Sequence, residues 1–188
     1  MATDASAEQI AHAVPTRNVE YWVATADSSG MPDRCADLIT VAQALHWLEH
    51  DAFYREVRRV AVNGGVLAAW SYGACHAGDD IEELLREFEH GILGPYWNAG
   101  RKWVDEGYRT IPFPFAALDA PAFELHKEWT ASQLGEYLRS WSAVAKYVRE
   151  RGTDPVVPLL ERLSQRWSPD GRTRMIRWPL ALRVGRIG

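Results

Sequence analysis

Cysteine is scarce: the 188 residues hold two, Cys35 and Cys75, in no CxxC or Cys/His arrangement. That excludes a structural zinc of the usual ligand spacing and a disulfide scaffold, and it fits a reducing cytoplasm. No run approaches the roughly eighteen apolar residues of a membrane span, and the N-terminus has neither a basic nor an apolar leader segment, so neither insertion nor secretion is expected. Positive charge is not in excess, since the formal net charge is -4. Without a basic field to collect phosphates, nucleic acid is not an expected partner. The late arginines Arg172, Arg174, Arg177, Arg183 and Arg186 fit the solvent side of a terminal hairpin. Internal repeats and low-complexity segments are also missing.

What is present is the composition of a globular domain: 47% hydrophobic, 24% charged and 11% aromatic, with nine tryptophans. A chain of this length buries well over half of its unfolded surface, so one domain over 1–188 with a real core is expected. The tryptophans read first as packing, and second as walls of an apolar pocket.

Along the chain, residues 5–14 read as a short helix closed by Pro15, and Val19 to Ala26 as a strand bounded by Asn18 and the Asp27-Ser28-Ser29-Gly30 turn. Asp37 to Leu45 is nearly continuous in apolar residues, as for a strand covered on both faces. Asp51 is the expected cap of a helix carrying Phe53, Val57 and Val60 on one face and Arg55, Glu56, Arg58 and Arg59 on the other, ended by Asn63-Gly64-Gly65. Val66 to Tyr72 is the next strand, and Asp79 to Ile92 a second amphipathic helix. The alternation is that of a doubly wound α/β sheet. Residues 94–121, rich in Pro, Gly and aromatics, read as a lid or insertion.

Phe123 to Trp129 alternates as a strand should, and Thr130 with Gln133 has the pattern of a capping box opening one long helix whose stripe runs from Tyr137 to Val148. A helix over Pro155 to Trp167, a Ser168-Pro169-Asp170-Gly171 turn and a last strand from Met175 to Val184, disturbed by Pro179, complete the reading.

Three stretches carry a resemblance: Asp37-Leu-Ile-Thr-Val-Ala-Gln-Ala-Leu-His-Trp47, Phe53-Tyr-Arg-Glu-Val-Arg-Arg-Val60 and Asn63-Gly-Gly-Val-Leu-Ala-Ala-Trp70. Together they resemble the strand 4 to strand 5 region of class I S-adenosylmethionine-dependent methyltransferases, in the branch grouped as methyltransferase type 11, which includes trans-aconitate methyltransferases. In order and spacing the likeness extends from Thr3 to Trp178-Pro-Leu-Ala-Leu-Arg-Val184.

The resemblance implies a Rossmann-like sheet with flanking helices and an antiparallel C-terminal strand pair. It also implies S-adenosylmethionine as cofactor and methyl transfer to a small-molecule acceptor, with a carboxylate among the candidates. Asp4 stands where the family's carboxylate holds the ribose hydroxyls, and Thr25, Ala26 and Asp27 stand where the adenine is held, with Thr25 replacing a common acid. Gln43 and Ala44 follow strand 4 beside the methionine portion, and His46 is placed as general base for a hydroxyl or amine acceptor. A carboxylate acceptor needs no base, and Arg101, Lys102 or Arg109 could hold one. Trp47, Trp70, Tyr72 and Trp97 could wall the acceptor pocket.

The family's glycine-rich turn after strand 1 has no counterpart ahead of Asp4. The expectation is therefore an N-terminally truncated sheet lacking strand 1 and its helix, with weakened cofactor binding and self-association through an exposed strand edge. The alternative expectation is a non-catalytic remnant acting as a binding module. A rival reading comes from His46-Trp47-Leu48-Glu49-His50, which matches the H-x-x-E-H pattern of inverted zinc peptidases. It sits at the end of an apolar strand rather than inside a helix, so the two imidazoles need not share a face.

Overall fold

The computed structural model describes residues 1–167 and 172–188. The turn expected at Ser168 to Gly171 lies outside them. The chain forms two compact units, Met1–Ser71 with Glu106–Pro121 and Ala181–Gly188, and Tyr72–Asp105 with Ala122–Leu180. The segment 94–121 is thus shared between the two.

In the first unit, β1 (Ala2–Asp4), α1 (Ala7–Ala11) and β2 (Tyr21–Val23) make a small parallel strand-helix-strand unit. Ser6 caps α1 by accepting the Gln9 N–H. The helix and β2 are shorter than the sequence pattern suggests. A second unit of this type is larger: β3 (Ala36–Ala42), α2 (His50–Val60) and β4 (Ala61–Tyr72), again with parallel strands. Next to β4 runs β7 (Arg174–Arg186), and β5 (Ala116–Ala117) pairs antiparallel with Arg186 and Gly185 of β7.

Two expectations fail around α2. Its cap is Glu49, not Asp51, because the Glu49 carboxylate accepts the N–H groups of Asp51 and Ala52. Asn63-Gly64-Gly65 does not end the helix. It lies inside β4, since Ala61 is already extended and opposite Ala36. The glycines serve a bulge there: Gly64 has φ +78°, and a Cβ on Gly65 would stand 3.0 Å from the Val62 carbonyl oxygen and 3.2 Å from that of Ala36.

The sheet containing β3 and the pair β1-β2 are separate, and among the described residues β3 is the last strand of its sheet. Its free edge carries Leu38, which is 58% exposed. The parallel ladder of a doubly wound sheet is ordinarily covered, so this edge is a liability.

In the second unit, α3 (Asp79–Arg86) continues into a π-helical segment, Glu87–Ile92. It is followed by α4 (Arg101–Asp105), β6 (Phe123–Trp129), α5 (Ala131–Arg139), α6 (Ser142–Arg151) and α7 (Val156–Trp167). Pairing of β6 with β7 is antiparallel from Trp129 opposite Arg174 to Phe123 opposite Leu180, and it continues past Pro179. The capping box at Thr130 and Gln133 forms as expected. The single long helix does not: Ser140 turns its hydroxyl onto the Tyr137 carbonyl and Trp141 becomes extended, so a new helix starts at Ser142. Leu84, Phe88, Leu134, Leu138, Leu163 and Ile176 make the centre of this unit's core. Trp129, Tyr137, Trp141 and Trp178 pack beside it edge to face. Most of the indole surplus is therefore packing. No helix among the described residues is long and apolar enough to cross a membrane.

Candidate functional site

In the first unit the end of β1 and the chain segments after β2 and β3 approach one cavity of about 410 Å³. Asp4, Ala26 and Ala44, one from each segment, line it, together with Met1 to Thr3, the edge of β3, and Phe53, Val57 and Val60 of α2. The volume falls in the range of small-molecule sites, roughly 300–1,000 Å³. The exposed Asp4 carboxylate is oriented by its own turn, with Oδ1 accepting the Ser6 N–H at 2.7 Å.

The loop after β2 is tied down by Glu56, which sequence pattern assigned to the solvent face of α2. Glu56 is buried and lines the cavity. Its Oε1 accepts the Ser29 N–H at 2.9 Å and the Ser29 hydroxyl at 2.6 Å, and Arg59 donates to both carboxylate oxygens. The Arg59 guanidinium first, and the Ser29 donors after it, hold the carboxyl well below its ordinary range, at about 2. Trp22 adds an indole N–H to the Ser29 carbonyl at 3.0 Å. Thr25 and Asp27 are exposed on this loop and lie outside the cavity lining, whereas Ala26 lies within it.

After β3 the backbone turns sharply. Gln43 adopts φ +51°, and its N–H reaches the Trp70 carbonyl at 2.8 Å. Such a conformation costs a residue with a Cβ about 1–3 kcal/mol and persists where the surroundings impose it. Ala44 then enters a single 3-10 turn, Leu45–Trp47, that presents His46.

His46 Nδ1 lies 2.7 Å from the hydroxyl of Tyr108, a residue with no exposed surface. Burial pushes the Tyr108 phenol up to about 12 against the opposing pull of the His46 N–H, the Ser71 hydroxyl and the Leu45 N–H. Ser71 is close enough for that influence, although its buried Oγ makes no hydrogen bond of good geometry among the described residues. Tyr108 is itself in the left-handed region at φ +58°, following Gly107 at +59°. Its carbonyl accepts from Arg183 at 2.7 Å. Tyr54, beside it, is also pushed up to about 12 by burial.

Trp47 is exposed beside His46, with ring centroids 5.5 Å apart. In the second unit, Tyr72 and Trp97 pack on the core, and the Arg101 guanidinium lies 4.1 Å from the Trp97 ring centroid. Arg101 already has two carboxylate partners, Asp105 and the buried Glu89. Burial raises the Glu89 carboxyl despite Arg101. In the H-x-x-E-H stretch, Glu49 caps α2 and His50 Nε2 meets the Leu45 carbonyl, so these two side chains meet the local backbone while His46 faces Tyr108. No group of three or more metal-ligating side chains occurs among the described residues.

Of the residues expected at the site, Asp4, Ala26 and Ala44 line the cavity, and the contacts of Glu56, Ser71 and Tyr108 were not anticipated from the sequence. The spacing of Glu56 and Arg59 was a signal for the first of those contacts. Nothing in the order of residues tied Tyr108 to His46 across sixty-two positions.

Comparison with known proteins supplies the relationship. A family profile described as a methyltransferase domain matches residues 1–69. The solved structure of a protein provisionally named a type II methyltransferase, from Anaeromyxobacter dehalogenans, is 37% identical. The match covers 98% of this chain and 79% of that one, with a TM-score of 0.86. This chain belongs to the methyltransferase domain family.

A further member of the family, a protein of Dictyostelium discoideum provisionally named a methyltransferase, is 31% identical over 172 residues. That match takes in 89% of this chain and 65% of the relative, so the chain spans slightly under two thirds of that relative's length. The Rossmann-like mixed sheet with flanking helices is the architecture of the family.

Proposed function

We propose that this methyltransferase-family chain binds S-adenosylmethionine and transfers its methyl group to a small-molecule acceptor. The observation that carries the reading is the convergence of Asp4, Ala26 and Ala44 on one cavity of cofactor size. The residues fit such a ligand. Asp4 is a carboxylate with one oxygen fixed by Ser6 and the other without a hydrogen bond among the described residues, suited to the hydroxyls of a ribose. The Thr25 to Asp27 loop, held by Glu56, would flank the purine, and Gln43 and Ala44 the amino-acid portion.

When bound, S-adenosylmethionine supplies a methyl group already activated on a sulfonium sulfur. The protein's share is then alignment and exclusion of water. His46, on the 3-10 turn after β3, is the side chain assigned to the acceptor, with Trp47 beside it, although neither is among the residues that line the cavity. Tyr72, Trp97 and Arg101, also expected to touch the acceptor, belong to the second unit, where Arg101 is already paired with Glu89 and Asp105. Two free thiols, one exposed and one buried, support a reducing, cytoplasmic setting.

The open edge of β3 favours a second reading, in which the chain self-associates there and serves as a binding module. Transfer of a labelled methyl group from S-adenosylmethionine to pools of carboxylic acids, alcohols and amines separates the two. A labelled product supports the enzyme, and none from a chain that binds the cofactor supports the module. Light scattering reports self-association directly, and a strictly monomeric profile removes it.

A further inference from the structure

Two facts about Tyr108 go together. It is completely buried, with its backbone in the left-handed region and its carbonyl accepting from Arg183. Its phenol meets the 3-10 turn Leu45–Trp47 at His46. The hydroxyl has His46 Nδ1 at 2.7 Å, and the nearby Ser71 Oγ makes no hydrogen bond among the described residues. A completely buried phenol must place its proton, and the acceptor at hand is His46 Nδ1.

We infer that Tyr108 is a positioning residue whose hydroxyl donates to His46 Nδ1 and so fixes the neutral imidazole as the tautomer with its proton on Nε2. Burial keeps the phenol protonated up to about 12, so it retains a proton to donate wherever the imidazole is neutral. The consequence for chemistry runs against the expectation that His46 is a general base. A neutral ring whose Nδ1 accepts from Tyr108 and whose Nε2 carries the proton has no lone pair left with which to take a proton from the acceptor. This meaning for the reaction rests on the methyl-transfer reading; the tautomer itself does not.

The experiment is a long-range proton–nitrogen correlation on the full chain labelled with 15N-histidine, at a pH above the ordinary histidine range. His46→Gln assigns the His46 signals among the six histidines. The expected spectrum shows His46 as the Nε2–H tautomer, and Tyr108→Phe turns it into an averaged mixture while His12 and His126 are unchanged. A wild-type spectrum with the proton on Nδ1 overturns the proposal, as does a folded Tyr108→Phe with an unaltered His46 pattern. Should Tyr108→Phe fail to fold, the wild-type tautomer alone decides. A chain that never transfers a methyl group gives the same spectra, so failure of the enzymatic reading and failure of this one are told apart.

Discussion

Replacing Glu56 by Gln keeps the shape of the side chain, removes its charge and turns one acceptor oxygen into a donor, so it weakens the tie between α2 and the loop after β2. The carboxyl is lowered from 4.5 to about 2. At about 1.4 kcal/mol per pH unit this caps the charge's contribution at roughly 3 kcal/mol at neutral pH. The Arg59 side chain is 37% exposed, so solvent screens part of that, and about 2 kcal/mol is the expected loss. For a chain of this size the melting temperature then falls by roughly 4–8 °C. Because the folded value lies below the unfolded one, the stabilisation is complete above 4.5 and disappears as the pH falls towards 2. Urea unfolding of Glu56→Gln and the parent chain across that range should therefore converge in acid. A gap that does not change with pH, or its absence at neutral pH, refutes the role assigned to Glu56.

Three further outcomes follow from the same structure. Arg101→Met strands the 3%-exposed Glu89 and should cost about 3–5 kcal/mol at neutral pH; the deficit should narrow on acidification as Glu89 takes a proton, as denaturant unfolding at two pH values will show. Gly185→Ala places a Cβ 2.6 Å from Phe113 Cε1 and 2.7 Å from Phe115 Cβ, so thermal unfolding should register a loss of about 1–3 kcal/mol. Thr130→Ala removes the capping box of α5 and should lower stability by about 1 kcal/mol without moving any binding constant.

Elements with a strong local signal were legible in the sequence. The apolar run of β3, the periodicity of α2 and α7 and the Thr130 capping box each specify themselves. What failed were boundaries decided by tertiary contact: Ala61 leaves α2 because Ala36 is there to pair with it, and Trp141 breaks the long helix because its ring packs against Phe88 and Trp97. At the site, residues adjacent to strand ends were readable because the chain brings them together by topology. Glu56 was misassigned because amphipathic pattern sends a carboxylate outward unless a partner such as Ser29 is known to wait inside. Tyr108 could not be paired with His46 by any local rule, since the contact joins distant segments through one hydroxyl.

The central claim is that Asp4, Ala26 and Ala44 hold the adenosyl portion of the cofactor, and calorimetric titration with S-adenosylhomocysteine tests it without any knowledge of the acceptor. The account predicts micromolar binding, weakened about tenfold or more in Asp4→Ala through loss of charge-assisted hydrogen bonds, in a chain that remains folded. A folded chain that takes up no S-adenosylhomocysteine, or binds it equally well without the Asp4 carboxylate, contradicts it.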